Sequence, residues 1–142
     1  MVKFKFMKKL LSITMIFSSL FLLCSCAKYT SSYKALGLVK NQTSHSIDVR
    51  FRSLQGQLVY KLKKSKAQTE GNVSYSLQVD EGEIVLYYDA NGVKEELARA
   101  KAGETVEDVG GYVEGGHTVY IIIEATEKAR GRICVELDHE YY

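Results

Sequence analysis

Tryptophan is absent from this 142-residue chain, and so is proline. The lack of Trp argues against a flat aromatic platform for carbohydrate. For the lack of Pro the sequence offers no physical account. Histidine is scarce: His45, His117 and His139 lack the paired spacing of a zinc site, and no serine stands in a Gly-x-Ser-x-Gly elbow. A nucleophile needs a base within hydrogen-bond reach, and no local motif supplies one, so the chain reads as non-enzymatic. Long apolar runs are missing too. Leu10 to Leu23 is uncharged over only 14 residues, whereas a membrane-spanning helix needs about 20, and Lys28 follows too soon to extend it.

What is present begins with charge. Lys3, Lys5, Lys8 and Lys9 precede that apolar run with no acidic residue among them, the order of a secretory signal. The run ends in Leu23-Cys24-Ser25-Cys26, which resembles the lipobox of bacterial lipoproteins. Cys26 fits the modified position better than Cys24, because Cys24 would place bulky Leu23 where a small side chain is wanted. The resemblance implies cleavage after residue 25, diacylglyceration of the Cys26 thiol and acylation of the new amino terminus by a fatty acid such as palmitate. Two or three hydrocarbon chains make such an anchor durable. Ala27 and Lys28 follow it with no Asp, which by the sorting rule of double-membraned bacteria allows passage to the outer membrane. The expected location is therefore the cell membrane or outer membrane, lipid-anchored and facing the periplasm or exterior.

Removing residues 1–25 takes away four lysines and turns 19 Lys+Arg against 17 Asp+Glu into 15 − 17 = −2. Nucleic-acid binding depends on a clustered positive surface and has no support here. Cys24 leaves and Cys26 carries lipid, so Cys134 is the last free cysteine. No intramolecular disulfide is then possible, and the fold must hold by its core alone.

Residues 26–34 read as the lipidated Cys and a polar tether, and residues 35–142 as one domain. The periodicity of that domain is two. Ile47, Val49 and Phe51 alternate with Asp48, Arg50 and Arg52; Leu58, Tyr60 and Leu62 alternate with Val59, Lys61 and Lys63; Val73, Tyr75, Leu77 and Val79 alternate with polar residues. Glu83–Asp89 and Thr118–Ile123 are denser β-branched and aromatic runs, expected to be central. Ile133, Val135 and Leu137 close the series. Asp80-Glu81-Gly82, Asn91-Gly92, Gly110-Gly111 and Gly115-Gly116 mark turns. Residues 93–102 are good helix formers, yet Asn91-Gly92 turns the chain back on itself, and a strand is expected. The fold class is all-β: a single β-sandwich of about eight or nine strands, jelly-roll-like, with an immunoglobulin-like sandwich as the alternative.

From Ser74 to Leu137 the sequence resembles pre-peptidase C-terminal domains, small β-sandwiches attached to secreted bacterial proteins. The matching stretches are 75–79, 82–89, 115–123 and 129–133, the last read as a glycine turn leading into a final strand. This resemblance implies a jelly-roll-like architecture and a non-catalytic adhesion or accessory role. It implies no binding residues.

Asp80, Glu81, Glu83, Asp89 and Asn91 supply oxygens that Ca²⁺ would accept, but without the spacing of a calcium loop, and tight turns use the same residues. Glu104, Glu107 and Asp108 read as a solvated loop. Cys134 lies on the polar phase of its strand, as a partly exposed thiol or one covered by a loop or second sheet. Ten tyrosines, Tyr141 and Tyr142 among them, include Tyr75, Tyr88 and Tyr120 within strand runs, where core or sheet-face roles are expected. The function expected is a membrane-anchored extracytoplasmic lipoprotein acting as a non-enzymatic interaction or structural module, with the membrane, through the lipid anchor, and a protein as the candidate partners. The alternatives are a small-ligand or Ca-binding lipoprotein, or an inhibitor of envelope enzymes presenting loops such as Gly110–Gly116. No cofactor is expected.

Overall fold

The computed structural model describes residues 28–63, 70–114 and 118–137. The proposed signal segment, Cys26, His117, His139, the Gly115-Gly116 turn and the carboxyl-terminal tyrosines lie outside the described residues. The regular elements within them are all strands: β1 (Ser32–Leu36), β2 (Val39–Gln42), β3 (Ser46–Lys63), β4 (Glu70–Glu81), β5 (Glu83–Asp89), β6 (Glu95–Lys101), β7 (Thr105–Glu114) and β8 (Thr118–Leu137). Every pairing is antiparallel.

β3 and β8 are 18 and 20 residues long, several times the common strand length of about 5–6. A straight strand of that length would outrun the core, and both strands bend. In β3 the register shifts between Phe51 and Leu54 and again between Leu54 and Gly56. The half before the bend lies between β2 and the second half of β8, which continues through β4 to β7. This is sheet I. The half after the bend lies between β1 and the first half of β8, which continues through β5 to β6. This is sheet II.

The two ends of β3 return to the same place: the Lys63 amide donates to the Ser44 carbonyl at 2.6 Å. Five ribbons therefore cross from one sheet to the other at a single pole. They are β1–β2, β3 itself, β4–β5, β6–β7 and β8 itself. Glycines 37, 56, 82 and 103, all with positive φ, stand one in each of four crossings. At Gly56 the reason is steric as well as torsional, because φ is +111° and a Cβ there would collide with the Ser32 carbonyl oxygen. Only glycine meets both demands. The opposite, open pole carries the turn at residues 43–45 and the Asn91-Gly92 hairpin.

Alternation fills the space between the sheets. Ile47, Val49, Phe51, Leu58, Tyr60 and Leu62 of β3 meet Val119, Ile121, Ile123, Ile133, Val135 and Leu137 of β8, all buried, with Leu54 fully enclosed at the bend. Ala125 and Ala129 are the small residues where β8 folds over. Burial of this apolar area is the main stabilising term in a chain with one free thiol among the described residues.

Two expectations are corrected and a third is met. Residues 47–51 and 58–62 belong to one bent strand, and so do 118–123 and 133–137: the expected glycine turn at 129–132 is continuous strand, with Gly131 packed so closely on Gln78 that no side chain fits. Periodicity detects the bend as an interruption and does not distinguish a fold in a strand from a turn. The tether is also shorter than residues 26–34, because Ser32–Leu36 pairs with β3 as an edge strand. The 93–102 segment is a strand from Glu95, paired along β5 as the hairpin at Asn91-Gly92 dictates.

Candidate functional site

The outer face of sheet I is a polar checkerboard laid out by register. One row across the strands reads Val39, Arg50, Arg132, Gln78 and Thr105; the next reads Asn41, Asp48, Cys134, Ser76 and Glu107; the third contains Ser46, Glu136, Ser74 and Val109. These three rows carry no aromatic side chain. A trough of about 520 Å³ runs over the second and third rows, and a neighbouring one of about 510 Å³ runs over the first, toward the crossing pole.

At the centre, Arg132 grips Asp48 with both arms of its guanidinium, Nε to Oδ1 at 3.0 Å and Nη2 to Oδ2 at 2.7 Å. That bidentate bond holds the Asp48 carboxyl below the usual carboxylate range, against the opposing effect of burial. The half-buried Cys134 thiol points at Asp48 Oδ1 from 3.5 Å. Burial first, and the Asp48 charge second, push this thiol above the usual range. It is therefore a poor nucleophile. Of the two positions left open by the sequence, partly exposed or covered, Cys134 takes an intermediate one.

The open pole carries the buried ionic group. Asp89 is 2% exposed, the one charged side chain buried among the described residues. It accepts from Lys28 Nζ at 2.5 Å, from the Tyr29 hydroxyl at 2.8 Å and from the Gly92 amide at 2.7 Å. Burial alone would raise its pKa, but these three donors outweigh it and hold the carboxyl below the usual range. The Tyr29 ring stands edge-on to Tyr120 at 5.3 Å, and Lys61 lies 5.6 Å from the Tyr120 ring. The chain immediately after the proposed anchor is thus latched to β5.

The acidic residues singled out as possible calcium ligands are not brought together. Asp80 and Glu81 face Arg130 at 3.8 and 3.3 Å, and Glu83 bonds Arg99 at 2.5 Å, all at the crossing pole. Asp89 and Asn91 lie at the open pole, where each accepts a backbone amide of its own turn. The seven-residue β5 separates the two groups, about 20 Å at strand rise. Among the described residues no group of three His, Cys, Asp or Glu side chains is placed to hold a metal. Glu104 caps the Lys101 amide, Glu107 accepts from Ser76, and Asp108 bonds the Val109 amide. His45 sits in the turn before β3 beside Ser44, 3.3 Å from its hydroxyl. Tyr88 is buried and bonded to Glu95, Tyr75 packs against the core, and Tyr120 is on the outer face of sheet II.

The partners of the two carboxylates that organise these faces are not legible in the sequence. Asp48 and Arg132 are 84 residues apart and Tyr29 and Asp89 are 60. The alternation placed Asp48 outward, but only register reveals its partner.

The arrangement defines an all-β sandwich of jelly-roll-like design whose sheet I has a polar outer face. No protein-family model matches the chain, and no curated protein matches it. Solved structures similar to it include the crystal structure of PirA, at 16% identity over 70% of this chain and 99% of that one, with a TM-score of 0.43. A family 29 carbohydrate-binding module complexed with mannohexaose shares 11% identity over 75% and 77%, with a TM-score of 0.39. The C-terminal family 6 module of LamC from Zobellia galactanivorans shares 9% over 75% and 99%, at 0.35.

Proposed function

We propose that this chain is a membrane-anchored extracytoplasmic lipoprotein whose sandwich serves as a non-enzymatic interaction module. The observation that carries the reading is the segment Leu23-Cys24-Ser25-Cys26 after a lysine-led apolar run. The latch supports it: Lys28 and Tyr29, two and three residues past Cys26, are fastened to Asp89. A lipid on Cys26 would then hold the open pole toward the bilayer and turn the crossing pole outward. The polar rows of sheet I, with no reactive thiol and no serine–histidine–acid set assembled on them, suit recognition better than catalysis.

The test is expression of the full chain in a bacterial host with labelled palmitate. The expected result is label in the wild type, recovery in the detergent phase, and an intact mass lacking residues 1–25; Cys26→Ala loses all three. Label retained by Cys26→Ala, or a wild-type protein in the aqueous phase that still begins at Met1, would sink the proposal.

A further inference from the structure

Arg50 and Arg132 are direct partners across β3 and β8 in the middle of sheet I. Directly opposed side chains have Cβ atoms about 5 Å apart, and like charges at that spacing are unfavourable. Arg52 and Arg130 enlarge the cluster from the same two strands, and all four line the 510 Å³ trough. Counter-charge is incomplete. Asp48 is taken up in both its oxygens by Arg132, and Asp80 and Glu81 face Arg130. The side chains of Arg50 and Arg52 make no hydrogen bond or ion pair among the described residues. Arg52 is nonetheless seated, because its stem lies over Gly37, where a Cβ would come within 2.9 Å of the Arg52 Cγ. The like charges are compensated only in part among the described residues, with Asp48 the acid whose charge also reaches Arg50, and a local rule left partly broken is the pattern of a binding site.

We propose that this trough binds a single tetrahedral oxyanion, a phosphate or sulfate ester carried by a partner molecule. A carboxylate offers two oxygens, and the Asp48–Arg132 pair uses both on one guanidinium. A tetrahedral ester offers three terminal oxygens, enough for Arg50 and a neighbouring guanidinium at once. An extended polyanion fits poorly. Glu107 and Glu136 stand one and two rows away on the same face and would repel a second charge laid along the trough. The ligand is therefore anionic at one point and neutral beyond it, with Gln78 in the trough and Asn41 one row on available for hydroxyls or amides. This site does not depend on the lipid anchor and goes beyond the interaction role in naming what is bound.

The experiment is thermal unfolding of the full chain in neutral detergent with inorganic phosphate, inorganic sulfate or chloride at matched ionic strength, since a ligand of the folded state raises the midpoint. The expected result is a rise of several degrees with phosphate or sulfate over chloride. It disappears in Arg50→Gln and in Arg52→Gln and persists in Arg99→Gln, which removes an arginine of sheet II. The larger of the two rises names the ester. No rise in the wild type, or an equal rise in Arg50→Gln, overturns the proposal, and neither outcome bears on lipid labelling at Cys26.

Discussion

Replacing Asp89 by alanine removes the acceptor shared by three donors. The Lys28 ammonium is 42% exposed and regains water, so its share is small. The Gly92 amide and the Tyr29 hydroxyl lose a charged acceptor at a site that is 2% exposed, at about 1–1.5 kcal/mol each. Asp89→Ala should therefore cost about 2–3 kcal/mol, which for a domain of this size lowers the melting temperature by roughly 10–20 °C. Asp89→Asn keeps an oxygen for one donor and should cost about half as much. The pH dependence has a definite sign. The folded carboxyl titrates below the unfolded one, so its stabilisation is complete above the unfolded value of about 3.9 and is lost as pH falls through the folded value. Calorimetry of the full chain in detergent at pH 7 and pH 3 should find the gap between wild type and Asp89→Asn narrowing in acid. A cost below about 0.5 kcal/mol for Asp89→Ala, or a gap that widens in acid, would refute the account of the latch.

At the crossing pole, Gly56→Ala should destabilise by at least about 2 kcal/mol, because both φ and the Ser32 carbonyl oppose a side chain; a urea midpoint unchanged from wild type would contradict this. Leu54→Ala empties a fully buried position at the bend of β3 and should cost about 3–5 kcal/mol in the same titration, whereas Val109→Ala on the exposed face should cost less than about 0.5 kcal/mol. Cys134 should react with a disulfide reagent at pH 8 more slowly in the folded protein than in guanidinium, because its raised pKa keeps the thiolate scarce. Asp48→Asn removes one cause of that shift and should speed the folded-state reaction; an unchanged rate would show that Asp48 does not govern the thiol.

Much of the fold was legible because the outer and inner phases of each strand differ in polarity. Ile47, Val49 and Phe51, or Ile133, Val135 and Leu137, can be assigned to a core by alternation alone, and Asn91-Gly92 decides a hairpin. The folding of β3 and β8 across both sheets was not legible. At Phe51–Gly56 the alternation lapses in the same way whether the chain turns back or bends onward, and the choice is made by pairing with residues about 70 positions away. The tether was misread for a related reason. Ser32–Leu36 is an edge strand with one half-buried residue, Ala35, so it lacks the apolar signature that burial imprints on central strands. The polar face of sheet I was visible only as separate outward residues; that Arg50 stands opposite Arg132, and Asp48 opposite Cys134, is a property of register.

β8 is the last of the eight strands and the middle of both sheets. The chain is synthesised from its other end, so β3, β4 and β5 emerge with edges that have no partner until Thr118–Leu137 follows. Such distant pairings close slowly. For a protein that must be threaded through a membrane before it folds, as proposed above, this order of assembly keeps the sandwich open until β8 itself has been exported. A chain cut short before β8 would have two half-sheets with no shared strand between them, and their unpaired edges would invite association with other chains.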